Sequence, residues 1–172
     1  ISSFSADVQV QVQDLYCLTN EHWLDDNIIW RIYQYFEISY QDQELQRPVM
    51  IPYDRMRVWR AHVDTPGDWD NEYRWDWMKG VITGDKRERV FTVVYMENHW
   101  GAACVDFERR RVYFGDSIGL EFPDDARKAI ARWLVHLGIN LKQWDPVILK
   151  FNVPRQTDSG SCGVIACNTI ER

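Results

Sequence analysis

Apolar side chains recur at helical spacing at Leu24, Ile28, Ile32, Tyr35 and Phe36, and this period predicts the first strong element, a helix over 23–36. Asp25 or Asp26 stands where a carboxylate can accept the free N–H groups of its first turn. Upstream, Val8, Val10 and Val12 alternate weakly, a pattern for an edge strand or an extended arm. Residues 47–53, Arg-Pro-Val-Met-Ile-Pro-Tyr, predict a short strand at a sheet edge, because proline cannot donate to an inner ladder. The stretch 54–80 shows no clear period. It holds a turn cluster, Asp64-Thr65-Pro66-Gly67-Asp68, and three aromatics spaced four apart, Trp69, Tyr73 and Trp77, which would line one helix face as core.

The second half is easier to read. Val90 to Met96 is β-branched and aromatic and predicts a buried strand. Ala102–Phe107 and Arg111–Phe114 predict two more, joined at the charged Glu108-Arg109-Arg110 turn. Pro123-Asp124-Asp125 opens a second helix, with Ala126, Ile130, Trp133, Leu134 and Leu137 on one face and Gly138 ending it. Pro146 to Phe151 predicts a last strand, leading into Thr157-Asp158-Ser159-Gly160-Ser161 and a final helix from Cys162. Helix, strands, helix, strand, helix is the order of an α+β domain with antiparallel pairing at its centre. A length of 172 residues fits a single domain over 1–172.

Composition narrows the function classes. A net charge of −6 argues against binding nucleic acid through the whole surface, and the one short basic run, Arg109-Arg110-Arg111, falls at the predicted hairpin turn. No apolar run reaches the length of a membrane span. The four cysteines form no CxxC pair and no disulfide framework, so reduced thiols in an intracellular protein are expected. A zinc site from Cys162, Cys167, His99 and Cys104 lacks the usual ligand spacings, and no metal or cofactor is expected. Cys17, Cys104 and Cys167 read as small buried hydrophobes.

Cys162 is the candidate with chemistry. At the start of a helix, the positive end of the dipole favours a thiolate, although cysteine is also a common core residue. A thiol nucleophile needs a base, a group that orients the base, and donors for an oxyanion. His22, His62 and His136 read as surface or capping residues. His99 lies between two predicted strands, where a rigid sheet can hold it. If those strands pair antiparallel, the chain leaving the hairpin returns to the His99 end and carries Asp116 with it. The plain alternative for Asp116 is a turn residue capping Ser117. Gln156 lies six residues before Cys162 and its amide can donate toward an oxyanion, or it is an ordinary loop glutamine.

His99-Trp100, Asp116-Ser117, then Gln156 and, after a five-residue gap, Cys162-Gly163 resemble in their order the ULP/SENP family of ubiquitin-like-protein (SUMO) proteases. Trp23-Leu24-Asp25-Asp26 is similar to that family's WLND helix start. The resemblance implies a papain-like cysteine protease fold with a central, mainly antiparallel sheet and the nucleophile at a helix N-terminus. It implies Cys162 as nucleophile, His99 as general base and later acid, Asp116 as imidazole orienter and Gln156 as oxyanion donor. Trp23 and Trp100 then match aromatics roofing a channel for a Gly-Gly tail, and Asp26 a residue near that tail. The implied partner is SUMO or another ubiquitin-like protein, met by a monomer in the nucleus or cytoplasm, with neither nucleic acid nor membrane involved. The sequence departs from the family at Ser161, where aspartate is usual, with Asp158 displaced upstream. Processing of ubiquitin or NEDD8, acetyl transfer, and an inactive binding module for ubiquitin-like proteins are the alternative functions.

Overall fold

The computed structural model describes residues 23–39, 49–64, 79–80 and 89–171. The weak strand over 1–16, Cys17, His22, most of the turn cluster at 64–68 and the stripe Trp69, Tyr73 and Trp77 lie outside the described residues. Within them the order is α1 (Asp26–Ser39), β1 (Val49–Met50), α2 (Tyr53–Ala61), β2 (Arg89–Tyr95), β3 (Trp100–Asp106) and β4 (Arg111–Gly115). Then come α3 (Asp124–His136), a 3₁₀ turn (Leu141–Gln143), β5 (Leu149–Lys150) and α4 (Cys162–Glu171). The strands form one sheet in the order β1-β2-β3-β4-β5. Long antiparallel pairings join β2 to β3 and β3 to β4, and short parallel pairings add β1 and β5 at the edges.

Side chains alternate across a strand, and here both faces are covered. On one face Val90, Val105 and Val112 meet Met56 and Trp59 of α2 and Ile130, Trp133 and Leu134 of α3. Trp59 and Trp133 stack there with ring centroids 5.8 Å apart. On the other face Val93 and Ala102 meet Ile28, Ile29, Tyr33 and Phe36 of α1 and Cys162, Ala166, Cys167 and Ile170 of α4. Covered from both sides, the central strand β3 is buried along its whole length.

The helix ends follow local chemistry. Asp25 caps α1, its Oδ1 accepting from the Ile28 N–H at 2.9 Å. After α3, Gly138 takes a positive φ of 80°, and Gly138 N–H and Ile139 N–H close onto the carbonyls of Val135 and Leu134, a Schellman stop. Two expectations change and one helix is added. Tyr35 is 64 % exposed, and Ile29 and Tyr33 hold the buried face instead, so the apolar stripe of α1 is turned by about one residue from the one read in sequence. The strand expected over 146–151 shrinks to Leu149–Lys150. And α2, which had no sequence signal, is a short, charged helix burying only Met56 and Trp59.

Candidate active site

The β2–β3 connection fixes His99. Glu97 and Asn98 both have positive φ, 41° and 68°, as the two central residues of a type I′ hairpin turn require. Met96 N–H donates to the His99 carbonyl at 2.7 Å, and Tyr95 Oη–H donates to Asn98 Oδ1 at 2.9 Å. His99 is thus the first residue after a tight turn, on the rim of the sheet, and its side chain is 8 % exposed.

The β3–β4 register, Ala102 opposite Gly115, brings the chain back to the same rim, and Asp116 follows at once. The Asp116 side chain, 1 % exposed, divides its two oxygens between two tasks. Oδ1 accepts from the N–H groups of Ile118 (2.9 Å) and Leu120 (2.7 Å), holding the turn. Oδ2 is hydrogen-bonded to His99 Nε2. Asp116 therefore bonds to the imidazole with one oxygen and caps a turn with the other, and the capped amides belong to Ile118 and Leu120 rather than Ser117. An ionised carboxylate only accepts, so Nε2 carries the proton and Nδ1 is left with a free lone pair, the atom a base uses.

The segment after β5 arrives beside this turn, where Gln156 N–H donates to the Ser117 carbonyl at 3.1 Å. Asp158 ties the following loop, Oδ1 accepting from Gly160 N–H (2.8 Å) and Ser161 N–H (2.7 Å), which holds its carboxyl below the usual range. The chain then enters α4 at Cys162, buried at 1 % exposure. Gly163 permits the close approach of α4 to the Trp23–Leu24 segment ahead of α1, since a Cβ there would lie 3.0 to 3.2 Å from three carbons of Leu24.

Burial is the main influence on the Cys162 thiol and pushes it up from its ordinary value; the Asp116 carboxylate pushes the same way. The backbone N–H groups of Trp100, Gly163 and Cys162 pull it down. Helix-start amides therefore do reach the sulfur, as its position implied, but desolvation outweighs them. A thiol in this state needs a base, and the Trp100 amide at the sulfur is the one next in chain to His99.

A cleft of about 760 Å³ opens over this region, with Trp23, His99, Ile118, Leu120 and Gln156 in its walls. Trp23 is 42 % exposed there. Trp100 is placed differently from the expected roof. It is 3 % exposed, its Nε1–H donates to the Leu24 carbonyl at 2.8 Å, and its ring packs against Tyr53 and Tyr95 with centroids 4.8 and 5.0 Å away. It supports the Trp23–Leu24 segment from within the core. Asp26 is exposed at the start of α1, outside the cleft walls and near Tyr53.

One contributor had no sequence signal. Arg60 of α2 lines the cleft, donates through Nε to Asp125 Oδ2 at 2.8 Å and is hydrogen-bonded to the Tyr95 carbonyl where β2 ends. It ties α2 and α3 to the start of the His99 turn, a link invisible in a stretch without periodicity.

A mixed sheet with helices on both faces, a helix headed by a cysteine and a buried histidine–carboxylate pair at one rim define a cysteine-type peptidase domain of papain-like architecture. Residues 69–172 match the model of the Ulp1 protease family, C-terminal catalytic domain, and the chain belongs to that family. His99, Asp116, Gln156 and Cys162 fall inside the matched residues, whereas Trp23 and Asp26 fall outside. Among solved structures, the fold is similar to that of SUMO protease Ulp1 with its catalytic cysteine oxidised to a sulfinic acid. The TM-score is 0.62 at 18 % identity, over 97 % of this chain and 74 % of that one. It is also similar to the C-terminal Ulp1 protease domain in complex with Smt3, the yeast ortholog of SUMO, with TM-score 0.60 at 17 % identity over 96 % and 72 %. A third likeness is to a de-sumoylating protease, with TM-score 0.64 at 15 % identity over 94 % and 66 %. No curated protein sequence matches the chain.

Proposed function

We propose that this domain cleaves the bond after the C-terminal Gly-Gly of a ubiquitin-like modifier, SUMO first among them, with Cys162, His99, Asp116 and Gln156 as its machinery. The observation that carries the reading is the buried His99–Asp116 pair, its carboxylate anchored on turn amides, at the rim where Cys162 heads α4. Membership of the Ulp1 family supports the substrate class, and the similar Ulp1 domain bound to Smt3 supports SUMO within it.

In this mechanism His99 Nδ1 takes the Cys162 proton while Asp116 holds Nε2–H. The thiolate attacks the terminal glycine carbonyl, and the oxyanion is held by Gln156 Nε2–H and the Cys162 N–H. The C–N bond breaks and His99 returns its proton to the leaving amine. Water, deprotonated by His99, then attacks the thioester and releases a glycine carboxylate and the free thiol. Trp23 gives the tail a flat aromatic wall that favours glycine over residues with side chains.

The test is reaction with C-terminal electrophilic probes built on SUMO, ubiquitin and NEDD8, beside Cys162→Ala. An adduct with the SUMO probe that is lost in the variant is the expected result. An adduct confined to the ubiquitin or NEDD8 probe would move the specificity, and a folded protein that reacts with none of them would overturn the assignment.

A further inference from the structure

We infer that Ser117 is a positioning residue for the oxyanion donor, one that holds the Gln156 amide with its nitrogen toward the nucleophile loop. This rests on the role proposed above for Gln156. A glutamine amide presents an acceptor oxygen at one end and a nitrogen with two N–H donors at the other, and its direction is decided by its partners. Here one partner fixes the direction and the other, a hydroxyl able to donate or accept, fits it and locks it. The Asp158 carbonyl can only accept, and Gln156 Nε2 donates to it at 3.0 Å. At the other end the Ser117 hydroxyl donates to Oε1 at 2.6 Å, from a residue 2 % exposed.

With Oε1 held by Ser117 and one Nε2 proton on Asp158, a single N–H remains on a nitrogen already turned toward the loop that carries Cys162. That proton is the one available to an oxyanion. Nor is the hydroxyl alone in holding Gln156, since Gln156 N–H bonds to the carbonyl of the same serine. Ser117 follows Asp116 directly, so two adjacent residues of one turn align the two supporting groups. The carboxylate of Asp116 orients the base, and the hydroxyl of Ser117 orients the oxyanion donor. Without the hydroxyl, Oε1 loses its buried partner and the amide is held at its nitrogen end alone, by the half of the pair that lies in the exposed loop. Preorganised direction is what makes an oxyanion donor effective, so the loss belongs to the chemical step and not to binding.

The experiment is a double-mutant cycle on Ser117→Ala and Gln156→Ala, assayed on a fluorogenic C-terminal amide of SUMO. Alkylation of Cys162 by iodoacetamide is followed in parallel. Gln156→Ala should lower kcat by about a hundred- to a thousandfold. Ser117→Ala should lower kcat by about tenfold with KM unchanged, the worth of one buried hydrogen bond. Added to Gln156→Ala, it should cost nothing further, because there is no amide left to orient. Alkylation forms no oxyanion, so its rate should stay at the parent value in Ser117→Ala. Equal losses in both Gln156 backgrounds, or alkylation falling in step with kcat, would show a general disturbance of the turn and overturn the inference. Gln156→Ala slow with Ser117→Ala as fast as the parent would remove Ser117 alone. A Gln156→Ala enzyme as fast as the parent, or a parent that leaves the amide intact, would remove the reading beneath it.

Discussion

The two ends of the β3–β4 hairpin carry nearly the same device. At the turn end, Asp106 is buried with its side chain 2 % exposed; Oδ1 accepts from Arg109 N–H at 2.8 Å and Oδ2 from Arg89 Nε at 3.2 Å. At the open end, Asp116 is buried at 1 %, with Oδ1 on the amides of Ile118 and Leu120 and Oδ2 on His99. In each, one oxygen shapes a turn and the other meets a nitrogen across the sheet. What separates them is the partner. A guanidinium has no proton to exchange in a protein and the Arg89 side chain is half-exposed, so the pair can only hold the sheet corner. An imidazole can both take up and give up a proton, and the bond His99 makes decides which of its ring nitrogens is left to do so. A buried carboxylate on turn amides is therefore a structural part that becomes a functional one when its second oxygen faces an imidazole at a cleft.

That contrast can be broken at either end, and the larger effect belongs to Asp116. Asp116→Asn keeps an oxygen for the turn amides but puts an amide N–H against Nε2, forcing the proton onto Nδ1. The melting temperature should stay near the parent's, while kcat on a modifier substrate falls by about 10³- to 10⁴-fold. The same change at the other end, Asp106→Asn, should leave kcat alone and lower stability by about 1 kcal/mol in urea unfolding. The charge-assisted bond is lost there, but the half-exposed Arg89 regains water. Asp124 sharpens the comparison from below. It pairs with Arg127 and with Lys128 (3.2 Å) but is 61 % exposed, so Asp124→Asn should move neither kcat nor melting temperature measurably. Equal losses of activity at Asp106 and Asp116 would erase the distinction.

Much of this was legible along the chain, and the physical reason differs from part to part. The β2–β3–β4 run is strongly patterned and locally connected, so antiparallel pairing alone brings His99 and Asp116 to one rim. The α3 helix carries both its apolar period and its glycine stop. What escaped depends on contacts far apart in sequence. Helix α2 buries two residues among charges and needs the α3 surface to be stable, so no period announces it. Trp100 reads as a channel aromatic until its indole N–H finds the Leu24 carbonyl 76 positions away. The Gln156 amide oxygen is held by Ser117 across 39 positions, and no local pattern records that bond.

The account stands on His99 being the base that serves Cys162, and the pH dependence of Cys162 alkylation by iodoacetamide tests this most directly. It would be followed on the Cys162 peptide in the parent and in His99→Ala. Burial pushes the isolated thiol up, so in His99→Ala the rate should climb only above about pH 9, where an ordinary thiol is already ionising. In the parent, transfer of the proton to His99 should set the rising limb at least about one pH unit lower. Superimposable profiles would contradict the account, because the imidazole would then have no hold on the thiol proton.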